Sequence, residues 1–157
     1  ELTHGLIQTI CDLEYNSHSG ALNESYSDIF GVMFEFWVKN KNRHGYGFEL
    51  GQECYFDGHS MRSFSDPNSC EQPICMHGLY YQDPNNSEDN GGVHTNSGII
   101  NHLFYNMQLK TDKKIIFDIF IKVLFKLKSC SDFYDFKRLI IPLLNEEQLV
   151  YLNKAIY

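Results

Sequence analysis

The chain has 157 residues and a formal net charge of −7, and 43% of its residues are hydrophobic. This length suits a single domain, and the composition excludes a disordered, collagen-like or coiled-coil chain. In residues 1–89 fourteen acidic residues face four basic ones, a balance that argues against a nucleic-acid partner and for a cation site or plain solubility.

Two helices are predicted near the start of the chain. Apolar residues recur at the three- and four-residue spacing of an amphipathic helix over residues 1–13, at Leu2, Leu6, Ile10 and Leu13. Residues 21–38 are apolar on nearly every side of a helix. That pattern is typical of a central, buried helix.

Between residues 40 and 90 the periodicity is lost in a stretch rich in Gly, Pro, Asn, Ser and Asp. Only short strand-like pieces near residues 48–56 are predicted there. A loop of this length inside a compact domain is unusual unless it is functional or braced by a metal ion.

Helical spacing returns at residues 96–109 and 112–127, and two shorter helices are expected to close the chain. Ser131 and Asn145 are predicted N-caps, and Gln148 stands three residues after Asn145 in capping-box spacing. The sequence therefore predicts a mainly α fold, a bundle of about five to six helices interrupted by one long irregular loop region.

No membrane span is predicted. The longest nearly apolar stretch, residues 115–127, contains Asp118, Lys122 and Lys126 and falls short of the roughly 20 apolar residues that a spanning helix needs. We expect a monomer with neither a membrane nor a nucleic-acid partner.

The chain has five cysteines without a CxxC pair, which argues against a structural zinc site: Cys11, Cys54, Cys70, Cys75 and Cys130. Cys70 and Cys75 flank four residues of a polar loop. Both a short-range disulfide and free buried thiols fit this spacing.

Three clusters of polar residues carry potential chemistry. Glu1 and His4 have the spacing of the second half of an HExxH zinc motif, although a chance pair on a surface helix has the same spacing. A two-His-one-Glu zinc site also needs a carboxylate from a separate helix, and Glu24 opens the second predicted helix. The alternative for Glu24 is an ordinary first-turn acid that complements the helix dipole.

Asp28 lies one turn after Glu24, where it could bond the far nitrogen of a metal-bound imidazole. An unpaired carboxylate in such an apolar helix would be costly. His94 follows a loop at the start of a predicted helix, with Asp89 five residues earlier to hold it. This pair could donate a proton or stabilise an oxyanion, and an exposed loop histidine is the alternative.

Four ordered stretches closely resemble the thermolysin-like zinc metallopeptidases: ELTH at 1–4, SGALNESYSDIFG at 19–31, MRSFSDP at 61–67 and DNGGVHTNSGIIN at 89–101. The resemblance covers essentially the whole chain and weakens in the last thirty residues. It implies the family's C-terminal, mainly helical domain, from a protein that is secreted as a longer precursor.

The resemblance implies roles around a Zn²⁺ ion. Glu1 would be the general base, and His4 and Glu24 would be zinc ligands, with Asn23 and Asp28 supporting them. Two groups would stabilise the oxyanion, Tyr15 and His94, and Asp89 would brace His94. Arg62 would hold the substrate carbonyl, and Leu50 and Met61 would form part of an apolar pocket wall.

The resemblance also implies a calcium site. Glu35 and Glu49 match carboxylates of the family's paired Ca²⁺ site, but Gly47 and Gln52 stand where further acids are usual. Because the number and charge of the oxygen ligands set the affinity for calcium, we expect one ion or none.

The family's remaining zinc ligand, a His immediately before Glu1, and its N-terminal half lie outside these 157 residues. We therefore expect residues 1–157 to form a single domain that begins inside the HExxH helix and has little activity alone. The predicted function of the whole protein is a zinc endopeptidase that cleaves on the amino side of bulky hydrophobic residues. Its expected partners are a peptide substrate, the N-terminal half and a propeptide.

Two non-enzymatic alternatives remain. One is a truncated or degenerate metallopeptidase domain that acts as a binding module. The other, a cytosolic helical interaction module, would require the four stretches to match by coincidence.

Overall fold

The computed structural model describes residues 1–39, 48–54 and 59–157. These residues contain six α-helices: α1 Leu2–Ile10, α2 Ser17–Lys39, α3 Asp89–Gln108, α4 Lys113–Leu124, α5 Phe133–Ile140 and α6 Glu146–Ala155. Two short strands, β1 Glu49–Leu50 and β2 Arg62–Ser63, pair antiparallel with Glu49 opposite Ser63. The mainly α fold with a long irregular loop region is confirmed.

The core forms where α2 and α3 pack together and α4, α5 and α6 cover them. Tyr26 of α2 is fully buried against the rings of Phe120 and Phe136. Its hydroxyl donates to the carbonyl oxygen of Phe120 at 3.0 Å, which satisfies the one polar atom of this side chain. Helix α2 is therefore central, as its apolar sequence predicts.

The last turns of α2 are different, because Phe34, Trp37 and Val38 are 64%, 76% and 57% exposed. Leu2 at the start of α1 is 94% exposed. The prediction that residues 21–38 are buried on nearly every side therefore holds only for the first part of the helix.

Helix α3 begins earlier than its predicted start at residue 96. Asn90, Gly91 and Gly92 have φ values of 48°, 79° and 79°, so the first turn is left-handed before the regular helix begins. A Cβ atom on Gly91 would lie 2.5 Å from the carbonyl oxygen of Pro84, so both the backbone angle and the space require glycine. This turn sets the position of His94.

The ends of the other helices lie close to their predicted positions. Asn145 and Gln148 form the predicted capping box, with two hydrogen bonds of 2.9 Å. The cap of α5 is Asp132 rather than Ser131, because Asp132 accepts from the Asp135 backbone N–H while Ser131 Oγ accepts from that of Lys128. The predicted helix over 1–13 ends at Ile10, since Asp12 adopts a left-handed φ of 49°.

All five cysteines are free thiols, so the structure has no bond between Cys70 and Cys75. Both of these thiols are half-buried, whereas Cys54 and Cys130 are exposed. In the described ranges, no helix combines the length and the apolar character that crossing a membrane requires.

Candidate active site

A polar cavity of about 740 Å³ lies where α1, α2, β2 and the start of α3 meet. It brings together nine of the residues that the sequence singles out: Glu1, His4, Tyr15, Asn23, Glu24, Asp28, Met61, Arg62 and His94. They come from five parts of the chain: the start of α1, the loop after α1, helix α2, the region of β2, and helix α3. The cavity is therefore the candidate active site.

His4 and Glu24 face each other in this cavity, with His4 Nε2 3.6 Å from Glu24 Oε1. On its other side the imidazole contacts Asn23, whose Oδ1 lies 2.8 Å from His4 Nδ1. Because a carboxamide oxygen only accepts hydrogen bonds, His4 Nδ1 carries the proton. Nε2 is then the ring nitrogen that faces the Glu24 carboxylate.

This donor set fits a Zn²⁺ ion, which prefers imidazole nitrogen and carboxylate oxygen. The pair would supply two of the protein ligands. Among the residues that the structure describes, no group of three His, Cys, Asp or Glu side chains is arranged to hold a metal ion. A complete site therefore needs a further ligand beside His4 and Glu24.

Asp28 is predicted to bond the far nitrogen of a metal-bound imidazole, and a bond to the histidine expected before Glu1 stays a prediction. Asp28 does not hold the imidazole of His4, a role that falls to Asn23 and to Ser27, whose Oγ lies 3.2 Å from Nδ1. The Asp28 carboxylate instead pairs with Arg62, with Nε 2.8 Å from Oδ2 and Nη2 donating to Oδ1 at 2.9 Å. The physical reason is direction, because a residue four positions after Glu24 points past His4 towards β2.

A buried amide completes the surroundings of Asp28. Asn101 Nδ2 donates to Asp28 Oδ2 at 2.8 Å, and the Ser25 hydroxyl donates to Asn101 Oδ1 at 2.8 Å. Burial raises the pKa of Asp28, and the Arg62 charge and these hydrogen bonds oppose that rise. Sequence reasoning did not identify Ser25 or Asn101, although a polar residue at 101 inside the apolar stripe of a helix was a signal.

Tyr15 and His94 stand on the opposite side of Glu24. The Tyr15 hydroxyl donates to Glu24 Oε1 and lies 3.0 Å from His94 Nε2. Burial, followed by the hydrogen bond to the Glu24 carboxylate and its charge, raises the pKa of Tyr15. This phenol therefore stays protonated and keeps its O–H donor throughout the neutral range.

Asp89 holds His94 through both the ring and the backbone. Its Oδ1 lies 2.5 Å from His94 Nδ1, and its Oδ2 accepts from the backbone N–H groups of His94 at 2.9 Å and Thr95 at 3.0 Å. Burial opposes ionisation of Asp89, but the hydrogen bonds from His94 and Thr95 outweigh it and lower the pKa of this carboxyl. The ring of His94 is thereby oriented with Nε2 towards Tyr15.

The two residues predicted to form the apolar pocket wall, Leu50 and Met61, lie in different surroundings. Met61 is half-exposed and lines the cavity beside Arg62. Leu50 instead packs against the hydrophobic core, although its carbonyl oxygen accepts from the Met61 backbone N–H at 2.7 Å. Glu1 is exposed at the first position of α1 and lines the cavity.

The predicted calcium ligands lie away from this cavity. Glu49 accepts hydrogen bonds from Ser63 Oγ at 2.7 Å and Ser65 Oγ at 3.1 Å. Glu35 lies on α2 and is half-buried. Gly47, the first of the two expected departures from the calcium pattern, falls outside the described residues, and the calcium site stays a prediction.

Comparison with known proteins finds a family match over most of the chain. Residues 11–147 match the family model described as "Thermolysin metallopeptidase, alpha-helical domain". The chain is 40% identical over 141 residues to an extracellular elastase of Staphylococcus epidermidis, covering 87% of the chain and 25% of that relative. It is 44% identical over 108 residues to bacillolysin of Bacillus cereus, covering 67% of the chain and 18% of that relative.

A solved structure gives a similar result. The precursor of protealysin, a metalloproteinase from Serratia proteamaculans, matches with a TM-score of 0.78 and 27% sequence identity. The match covers 98% of this chain and 53% of that one. The chain thus spans a quarter or less of the length of these two curated relatives and about half of this structural neighbour.

Proposed function

The chain belongs to the thermolysin metallopeptidase family, as its alpha-helical domain, and we propose that it forms one wall of the active site of a secreted zinc endopeptidase. One observation carries this proposal: His4, Tyr15, Glu24 and His94 converge on a single cavity from α1, the loop after it, α2 and α3. The printed name of the staphylococcal relative, extracellular elastase, supports secretion and proteolysis.

His4 and Glu24 are the residues that would hold Zn²⁺, with a further histidine expected immediately before Glu1. When bound, the ion supplies Lewis-acid polarisation of a peptide carbonyl and lowers the pKa of a water towards about 7. Asn23 contributes by fixing the tautomer of His4, because its Oδ1 keeps the proton on Nδ1.

The residues of this chain then assist hydrolysis from three directions. The Glu1 carboxylate, at the mouth of the cavity, accepts the proton of the attacking water. The Tyr15 hydroxyl and the ring of His94 donate to the negative charge that develops on the carbonyl oxygen, each lowering the barrier by about 3 kcal/mol. Asp89 keeps His94 in the orientation needed for this contact.

Arg62 and Met61 are the proposed substrate contacts. The ion pair with Asp28 fixes the Arg62 guanidinium, which leaves other N–H groups to bind a carbonyl of the peptide. The exposed Met61 side chain provides apolar surface for a bulky hydrophobic residue after the scissile bond. The expectation of one Ca²⁺ ion or none at Glu35 and Glu49 remains part of the proposal.

Two substitutions in the full-length protein separate the proposed roles. Glu1→Gln removes a proton acceptor and should abolish peptide hydrolysis while zinc stays bound. Glu24→Gln removes a metal ligand and should lose both zinc and activity, whereas Glu146→Gln, on the exposed face of α6, should change neither. Zinc content and peptide cleavage measure these outcomes, and wild-type turnover by Glu1→Gln would end the proposal.

A further inference from the structure

A second cavity, of about 520 Å³, adjoins the active-site cavity, because Met61, Arg62 and His94 line both. Its outer wall is built from two parts of the loop that precedes α3, residues 70–72 and 80–82. The four stretches that carry the family resemblance do not include this loop. Its position beside His94 places it within reach of a peptide that occupies the active site.

The side-chain amide oxygens of two residues in this cavity accept no hydrogen bond from the described residues. Gln72 is 5% exposed, and its Nε2 donates to the carbonyl oxygen of His94 at 2.7 Å, which fixes the orientation of the carboxamide. Among the described residues, neither Gln72 Oε1 nor Gln82 Oε1 has a hydrogen-bond partner, and both oxygens are buried. A buried acceptor without a donor is destabilising, and an N–H group of a ligand that reached these oxygens would relieve that cost.

The lining of the cavity contains groups that attract a cation, a carboxylate and two aromatic rings. Its charged lining groups are Arg62 and Glu71, and Arg62 is already paired with Asp28. The Glu71 carboxylate is exposed, so it can meet an incoming group without a large desolvation cost. The rings of Tyr80 and Tyr81 also line the cavity, and aromatic faces attract guanidinium and ammonium groups.

The ring of Tyr81 is held in place from two sides. Its hydroxyl lies 2.8 Å from His18 Nε2, and the ring of His77 packs edge-on against it at 5.0 Å. The carbonyl oxygen and the N–H of Gln82 both bond the side chain of Asn96, at 2.9 and 3.0 Å. The wall that carries the two amide oxygens is thus anchored to α2 and α3 before any ligand binds.

We propose that this second cavity is a substrate subsite that accepts a basic side chain, with arginine preferred over lysine. A guanidinium carries five N–H donors in one plane, which suits two separated acceptors, a carboxylate and an aromatic wall. This inference rests on the proposed peptidase function and adds a preference for substrates that carry a basic residue near the bulky apolar one.

The test uses the full-length protein and a series of peptide substrates. At each position around the scissile bond in turn, the peptides carry arginine, lysine, glutamine or norleucine. At one position the arginine peptide should be cleaved about ten-fold more efficiently, in kcat/KM, than the norleucine peptide. Glu71→Gln and Gln82→Met should each reduce that ratio by about five-fold while cleavage of the norleucine peptide is unchanged. The control Glu146→Gln should keep the ratio of the wild type.

A binding measurement separates failure of the subsite from failure of the peptidase function. N-acetyl-arginine amide should shift the NMR signals of tyrosine rings in the wild-type protein more than N-acetyl-norleucine amide does, and Glu71→Gln should weaken this response. Equal cleavage of arginine and norleucine peptides at every position would overturn the subsite alone. If no peptide is cleaved, the proposed function fails, and equal binding of the two amides would then overturn the subsite independently.

Discussion

Asn23, Asp89 and Asn101 show how single side chains in this protein act by fixing a neighbour. Asn23 sets the proton on His4, Asp89 aligns His94, and Asn101 bonds the Asp28 carboxylate that holds Arg62. Each residue uses a directional hydrogen bond to a group that lines the active-site cavity. The groups that face the cavity therefore owe their geometry to a surrounding layer of polar residues.

The effect of Asp89 can be measured directly. Asp89→Asn keeps the shape of the side chain but removes the negative charge of the carboxylate that bonds His94 Nδ1 and orients the ring. We expect kcat of the full-length protein to fall by about ten- to a hundred-fold with little change in KM. Asp83→Asn, in the loop before α3, is the matched control because among the described residues the Asp83 carboxylate accepts hydrogen bonds only from the backbone and side-chain N–H groups of Asn85. An equal loss in both variants would contradict this role.

Some of this layer was predictable from the sequence and some was not. The spacing of Asp89 and His94 at a helix start predicted their contact, because five residues of turn and helix bring the two side chains together. The partner of Asp28 was not predictable, since Arg62 and Asn101 are 34 and 73 residues away along the chain. Local periodicity carries no information about which distant segment a buried carboxylate meets.

The helices, too, were predictable where the sequence signal lies within a few residues of the element that it predicts. The apolar spacing predicted α4, and the capping box predicted the start of α6, because both signals lie within a few residues. The strand β2 was not predicted, since a two-residue strand has no periodicity to detect. The early start of α3 was missed because residues 90–92 form a left-handed turn that apolar spacing does not reveal.

Gly91 tests the importance of that turn. Gly91→Ala forces a side chain into φ +79° and against the carbonyl oxygen of Pro84, so we expect a loss of about 1–3 kcal/mol in the free energy of unfolding. Gly31→Ala is the matched control, because a Cβ there meets nothing within 4 Å and alanine favours a helix by roughly 0.5–1 kcal/mol. Urea denaturation measures both, and equal stability of the two variants would contradict the proposed strain.

At the scale of the whole molecule, stability depends on pH through a histidine that ties distant elements together. His18 of α2 stacks on Phe133 of α5 with ring centroids 4.3 Å apart, and its Nε2 lies 2.8 Å from the Tyr81 hydroxyl. Burial lowers the pKa of His18, the Asp132 charge opposes this effect, and His77 adds to it. The folded protein therefore favours the neutral ring.

This lowered pKa fixes the direction of the pH effect. The unfolded chain binds a proton at His18 near pH 6.5, whereas the folded chain binds it only at lower pH, so stability should fall as pH decreases below about 6.5. His18→Gln should reduce the difference in melting temperature between pH 7 and pH 5. A variant with the full wild-type difference would show that His18 is not responsible.

The molecule also presents apolar side chains that its own fold does not cover. Leu2, Phe34, Trp37 and Val38 are each more than half exposed at the ends of α1 and α2. Exposed apolar groups of this size favour contact with another protein surface. The N-terminal half expected from the family resemblance is the proposed occupant, and its presence would complete both the cavity and the ligand set.

The most direct test of the whole account is the zinc affinity of the full-length protein, measured by competition with a chelator. His4→Ala and Glu24→Ala should each weaken zinc binding by more than about a hundred-fold, whereas Glu14→Ala, at an exposed position outside the cavity, should leave it unchanged. Wild-type zinc affinity in both His4→Ala and Glu24→Ala would show that these two side chains do not hold a common metal ion, which would contradict the proposed active site.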